Sequence, residues 1–174
     1  MLWGLRSAIA PAEARAVREL LSPAELSLFV RMEPRDRRHS LLVMQRLERD
    51  GVSAQDGDGG GVTSGAASRD LLAAALLHDI GKGRQALRHR VLYVLLRRTA
   101  PPRLLVRVLR EGHGWRGALW RLRHHSRLGG ELLHEAGSAP RVVELVERHL
   151  TLPADAQAAG DRELVALIAA DSVS

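Results

Sequence analysis

The 174-residue chain has no cysteine and almost no lysine: Lys82 is the one lysine, and the rest of its 26 basic side chains are arginine. Without cysteine there are no disulfides, thiolate metal ligands or thiol nucleophile, so a bound metal must rest on His, Asp or Glu. Aromatic residues make up 3%, too few for a stacking platform that grips single-stranded nucleic acid. Apolar runs are short and broken by arginine, which argues against a transmembrane helix. The opening Met1-Leu2-Trp3-Gly4-Leu5-Arg6 lacks the basic-then-apolar order of a signal peptide, so a cytoplasmic location is expected.

What is present describes one globular unit. Hydrophobic residues are 45% and charged residues 26%, and the length suits a single core. The net charge of +6 would suit a nucleic-acid partner. An arginine-only basic complement equally reflects genomic composition, so nucleic acid is the lesser expectation.

Apolar spacing predicts helices over residues 12–21 and 23–33, an N-terminal hairpin with Ser22-Pro23 as cap and first-turn proline. Leu26, Phe29 and Met32 recur at intervals of three, as core residues do. A helix then runs from about Asp36 to Arg49, with His39 on its apolar face beside Leu42 and Val43. Residues 51–68 are rich in Gly, Ser and Asp around Gly59-Gly60-Gly61 and predict a flexible loop. No Lys-Ser or Lys-Thr follows these glycines, so they do not form a phosphate-binding loop. Residues 70–79 form a Leu- and Ala-rich central helix, capped by Ser68 or Asp70 and ended at Gly81.

Residues 84–123 hold 11 arginines and one acid, Glu111. Pro101-Pro102 divides this Arg-rich insertion into two amphipathic helices. Such helices suit a solvated face, a partner, an anionic membrane or an anionic substrate. A further helix starts at Ser138-Ala139-Pro140 and ends its buried stripe on His149, with Val142, Leu145 and Val146 behind it. The last, about Asp161 to Ser172, ends its stripe on Asp171. That carboxylate either frays into solvent or is buried against a partner such as a metal, because burial without one is costly.

The chemistry concentrates at Leu76-Leu77-His78-Asp79-Ile80-Gly81-Lys82-Gly83. Adjacent His and Asp side chains diverge along a helix, so they suit a metal bound at its end rather than across its face. Lys82 supplies a compact ammonium where arginine is used everywhere else.

His78-Asp79-Ile80-Gly81-Lys82 resembles the signature of the HD-domain superfamily of metal-dependent phosphohydrolases, an all-α, HD-domain-like helical bundle. The resemblance extends over about residues 36–171. His39 stands where that family has its first His, after the charged Asp36-Arg37-Arg38. His125, with Gly129 four residues on and Leu132-Leu133 beyond, matches a later His; His124 is one residue out of register and falls to a supporting or surface place. His149 resembles the fourth His and Ala169-Ala170-Asp171 the final motif. His149-Leu150 replaces the His-His of the cyclic-dinucleotide branch, and the Gly-Tyr-Pro motif is missing, so neither a trinuclear site nor cyclic-di-GMP hydrolysis is expected.

The resemblance implies an HD domain over residues 36–174 behind the hairpin of residues 1–35. It further implies that His39, His78, Asp79 and Asp171 hold one divalent metal, and that Asp79 bridges to a second held by His125 and His149. One or two ions of Mn, Fe, Ni, Co or Zn fit such ligands. The implied activity is hydrolysis of a small phosphorylated substrate, most economically a nucleotide, by metal-activated water, with Asp79 and Lys82 catalytic. Arg84 and Arg88, the arginines nearest Lys82 in sequence, are expected to bind substrate phosphates together with Lys82. The competing expectation is a non-catalytic metal-binding module that docks a partner, an anionic membrane or RNA through its Arg-rich helices. Oligomeric state is left open.

Overall fold

A computed structural model describes residues 9–55, 62–65, 67–110 and 112–173. The expectations for the first six residues and for Gly59-Gly60-Gly61 lie outside the described residues. The fold is all-α: the described residues form ten α-helices, a short 3-10 helix and one small hairpin.

Helices α1 (Pro11–Leu20) and α2 (Pro23–Arg31) are joined by a reciprocal cap. The Glu25 amide donates to the Ser22 hydroxyl, and the Ser22 amide donates to the Glu25 carboxylate at 2.9 Å. This satisfies two amides that a helix start leaves without partners. Val17, Leu21, Phe29 and Met32 drop into the same core cluster as the helices that follow.

Helix α3 (Pro34–Asp50) packs on α4 (Arg69–Leu77), the centre of the molecule. Ser68 caps α4, its hydroxyl accepting from the Leu71 amide at 3.1 Å. Leu71 and residues 73–77 are all buried, and the alanines among them let neighbouring helices approach closely. Where composition predicts only a loop, β1 (Val52–Gln55) and β2 (Val62–Gly65) pair antiparallel, Val52 opposite Gly65. Val52, Val62 and Thr63 are β-branched residues that suit a pleated backbone.

The Arg-rich region forms α5 (Leu87–Thr99), α6 (Pro102–Val108) and the first half of α7 (Gly114–Glu135). The split at Pro101-Pro102 is as expected, and Gly114, at φ +63°, adds a second break. α7 therefore begins well before the His124-His125 pair. It is broken at His124, at φ −112° and ψ 16°. The His124 ring Nδ1 lies 2.9 Å from the Trp120 carbonyl and His125 Nδ1 2.9 Å from that of Leu122. Imidazoles thus claim two carbonyls of the helical ladder, a known cause of kinks.

α8 (Pro140–Arg148), α9 (Pro153–Ala158) and α10 (Arg162–Ser172) complete the bundle. Ala139, not Ser138, occupies the N-cap of α8, and the buried Ser138 hydroxyl has no hydrogen-bond partner among the described residues. Proline at the first position pre-sets the helix without a side-chain cap. Arg141 on α8 holds Asp161, which caps α10 through the Leu164 amide, and also reaches Glu163 and Glu144.

Candidate metal centre

Five elements, α3, the α4–3-10 junction, α7, α8 and α10, deliver the histidines and carboxylates to one place. α4 ends at Leu77 with His78 at its C-cap, Asp79 takes a non-helical φ of −98°, and the 3-10 helix Ile80–Lys82 turns the chain. That turn lies on α7 because Gly81 has no side chain. A β-carbon there would stand 2.0 Å from the His125 carbonyl oxygen and 2.6 Å from the Gly129 amide nitrogen. Gly129 is less tightly confined, its missing β-carbon 3.1 Å from a Val146 methyl. The Ile-Gly-Lys and His-x-x-x-Gly spacings are therefore two halves of one backbone contact, which sets Asp79 against His125.

The functional atoms fall into two groups, His39 with His78 and Asp171, and Asp79 with His125 and His149; within each, the candidate ligand atoms all lie within 4.8 Å of one another. Asp79 Oδ1 joins them, 3.5 Å from His78 Nε2 and 3.5 Å from His125 Nε2. Asp171 Oδ1 lies 2.8 Å from His39 Nε2 and 3.3 Å from His78 Nε2. His125 Nε2 faces His149 Nε2 at 3.2 Å. Neighbouring rings along the series His39, His78, His149, His125 have centroids 5.3, 5.2 and 5.1 Å apart. The buried members are His78, Asp79, His125 and His149, while His39 and Asp171 close the group at its half-buried edge.

Backbone carbonyls fix the chemistry of three rings. Nδ1 of His78, His125 and His149 lies 2.8, 2.9 and 2.7 Å from the carbonyl three residues earlier, on Ala75, Leu122 and Val146. A carbonyl oxygen only accepts, so each Nδ1 carries a proton and each neutral ring presents an Nε2 lone pair. Those lone pairs point at one another and at two carboxylates, and His78 Nε2 is buried without a hydrogen-bond partner among the described residues. Convergent lone pairs repel until an electrophile sits among them. Imidazole nitrogens backed by carbonyl acceptors, together with carboxylate oxygens, are the donor set of a divalent transition metal, so these residues fit one.

The titration of the cluster follows. Burial drives the His125 imidazole below its ordinary pKa. Burial, with His78 and His125 adding like charge, pushes His149 down to about 3. Burial alone would raise the Asp79 carboxyl, but His78, Lys82 and His125 hold it well below the carboxylate range. Asp171 is lowered against the same burial penalty by its hydrogen bond with His39 and by the His78 ring beside it. His78 also faces a burial penalty, yet the Asp79 and Asp171 carboxylates raise it above the ordinary value. A positive charge is wanted between those two carboxylates.

The remaining expected residues are spread more widely. Lys82 Nζ contacts Asp79 Oδ2 at 2.5 Å. Arg84 pairs with Glu33 at 3.3 Å and, with Arg31, Arg37, Val30 and Met32, lines a surface cleft of about 310 Å³. Arg88 is exposed on the first turn of α5 and lines no part of that cleft. His124 stacks on Trp120, with ring centroids 4.8 Å apart, outside both groups. His134 is exposed.

Sequence reasoning missed Arg90, whose guanidinium grips the buried Asp36 carboxylate with both terminal nitrogens, Nη1 at 2.6 Å from Oδ1. That pair fastens α5 to the turn of α3 that bears His39. An acid three residues before His39 was the available signal, but nothing local named its partner.

Residues 37–174 match the family model described as HD domain. No curated protein and no solved structure matches the chain.

Proposed function

The chain belongs to the HD-domain superfamily of metal-dependent phosphohydrolases, and on that footing we propose that it hydrolyses a phosphate ester or anhydride of a nucleotide. The observation that carries this reading is the convergence of three buried Nε2 lone pairs with the Asp79 and Asp171 carboxylates. A cluster so costly to bury is retained for chemistry more often than for stability.

His39, His78 and Asp171 would hold one divalent metal and His125 and His149 a second, with Asp79 shared between them. Mn, Fe, Ni, Co and Zn all accept such ligands. When bound, the metal makes water nucleophilic at neutral pH and neutralises phosphoryl charge. The carbonyls behind His78, His125 and His149 keep each ring in one tautomer and one orientation. Lys82, held by Asp79 at the rim of the cluster, would offer its ammonium to a non-bridging phosphate oxygen or to the leaving oxygen.

The cleft lined by Arg31, Arg37 and Arg84 is reached from the same two segments that supply ligands, since Arg37 precedes His39 by two residues and Arg84 follows Lys82 by two. Guanidinium groups in that cleft would hold the anionic part of the substrate that does not react. Metal content of the purified protein, followed by phosphate release from a panel of nucleotides with added Mn²⁺, tests the proposal. Stoichiometric metal with turnover is the expected result, and tight metal without turnover on any nucleotide would overturn it.

A further inference from the structure

We infer that the outward face of α5, continued by α6, is a docking surface for an anionic lipid bilayer. Neither helix has a fully buried residue. Their inner sides rest on a small satellite cluster centred on Leu109, Leu119 and Leu122, separate from the main core. A solvent-facing surface helix ordinarily places polar residues outward. Here Leu87, Val91, Val94 and Leu95 are 60%, 59%, 51% and 55% exposed. Spaced at i, i+4, i+7 and i+8, they form one continuous outward stripe. α6 adds the exposed Leu104 and Val106.

The charge around this stripe selects the occupant. Residues 84–110 contain eight arginines and no acid. Arg84 and Arg90 are taken by Glu33 and Asp36. Among the described residues Arg88, Arg98 and Arg103 are exposed and pair with no acidic side chain. On a helical projection Arg98 falls within the apolar stripe and Arg88 along its edge. A second copy of the same surface would bring arginine against arginine, so self-association is disfavoured. Nucleic acid offers the matching charge but nothing for four aliphatic side chains, and aromatic residues to stack on bases are few. An anionic bilayer answers both features: aliphatic side chains enter the acyl boundary while guanidinium groups reach back to headgroup phosphates. The inference is independent of turnover, because it uses none of the metal-site residues.

The test is co-sedimentation of the full chain with vesicles of phosphatidylcholine alone or mixed with phosphatidylglycerol, at low and high salt. Binding to the phosphatidylglycerol vesicles, and weak binding to phosphatidylcholine, is expected. Arg98→Gln with Arg103→Gln should weaken it on the order of tenfold or more, and Val94→Ser with Leu95→Ser should weaken it by a similar factor without changing charge. Both variants should keep the helical circular dichroism and metal content of the parent, since all four positions are exposed. No binding at low salt overturns the inference, as does full binding by the serine variant, which would mean attraction without insertion. Preferential capture of a random RNA over the vesicles overturns it in favour of nucleic acid. Concentration-dependent dimerisation of the parent, lost in the serine variant, overturns it in favour of a second copy.

Discussion

Asp171 Oδ1 lies 2.8 Å from His39 Nε2 across 132 residues of sequence, and this contact ties the end of α10 to the start of α3. It settles how the C-terminal stripe ends: Asp171 is turned toward the histidines rather than frayed into solvent. Asp171→Asn removes the charge and keeps the shape. Metal content should fall at least about tenfold, the range seen when even supporting groups of a metal site are lost. Elemental analysis beside an unchanged helical circular dichroism spectrum checks this.

Asp79 is the carboxylate both groups share, so Asp79→Ala should abolish metal retention and turnover together. Lys82→Met should separate them. Metal stays bound, because Lys82 is not a ligand, while turnover falls roughly 100- to 1,000-fold, the loss typical of one charge-stabilising donor. Normal turnover in the Lys82 variant would remove the ammonium from the chemistry.

Gly81→Ala places a β-carbon where a backbone carbonyl already stands. The 3-10 turn must lift off α7, at a cost of about 1–3 kcal/mol for overpacking. The displacement falls on Asp79 and Lys82, so activity should drop far more than stability. Gly83→Ala is the control: its φ of +61° is unfavourable for alanine, but its β-carbon would meet nothing within 4 Å.

Arg90→Met strips the buried Asp36 of its partner. An uncompensated buried carboxylate costs about 3–5 kcal/mol, which for a chain of this size lowers Tm on the order of 10 °C. Adding Asp36→Asn should recover much of that loss, and a double-mutant cycle by thermal unfolding measures the coupling.

Arg141 links acid stability to the same architecture. Hydrogen bonds from Arg141 hold Asp161 below its ordinary 3.8, and with Arg148 they hold Glu144 below 4.5. A carboxyl lowered in the folded state contributes stability that is complete above its unfolded pKa and lost as pH falls through the folded one. Stability should therefore decline on acidification below about pH 5. Arg141→Gln should lower the neutral-pH plateau by on the order of 1–2 kcal/mol and flatten that decline. Urea midpoints across pH 3–7 check both.

Much of the site was legible because its residues obey local spacing. His149 and Asp171 stand at the ends of apolar stripes, and Gly81 and Gly129 follow their His residues at intervals the backbone contact requires. The Arg-rich region was legible only as helical. Helical spacing distinguishes faces but not partners, so Arg88 and Arg90 read alike until Asp36, 54 residues before Arg90, was found against one of them. The β1–β2 pairing was hidden for a related reason: glycine-rich composition marks a turn without saying whether its flanks meet.

The break in α7 at His124 governs how load passes along that helix. Leu119 and Leu122 before it pack in the satellite cluster, and Leu133 beyond it packs in the main core. An unbroken ladder would carry a push on the outer half straight down the axis, as a rod does. A joint directly ahead of His125 interrupts that path, while Gly81 and Gly129 seat the inner half against the 3-10 turn. The proposed docking surface and the candidate metal centre thus lie on either side of that joint.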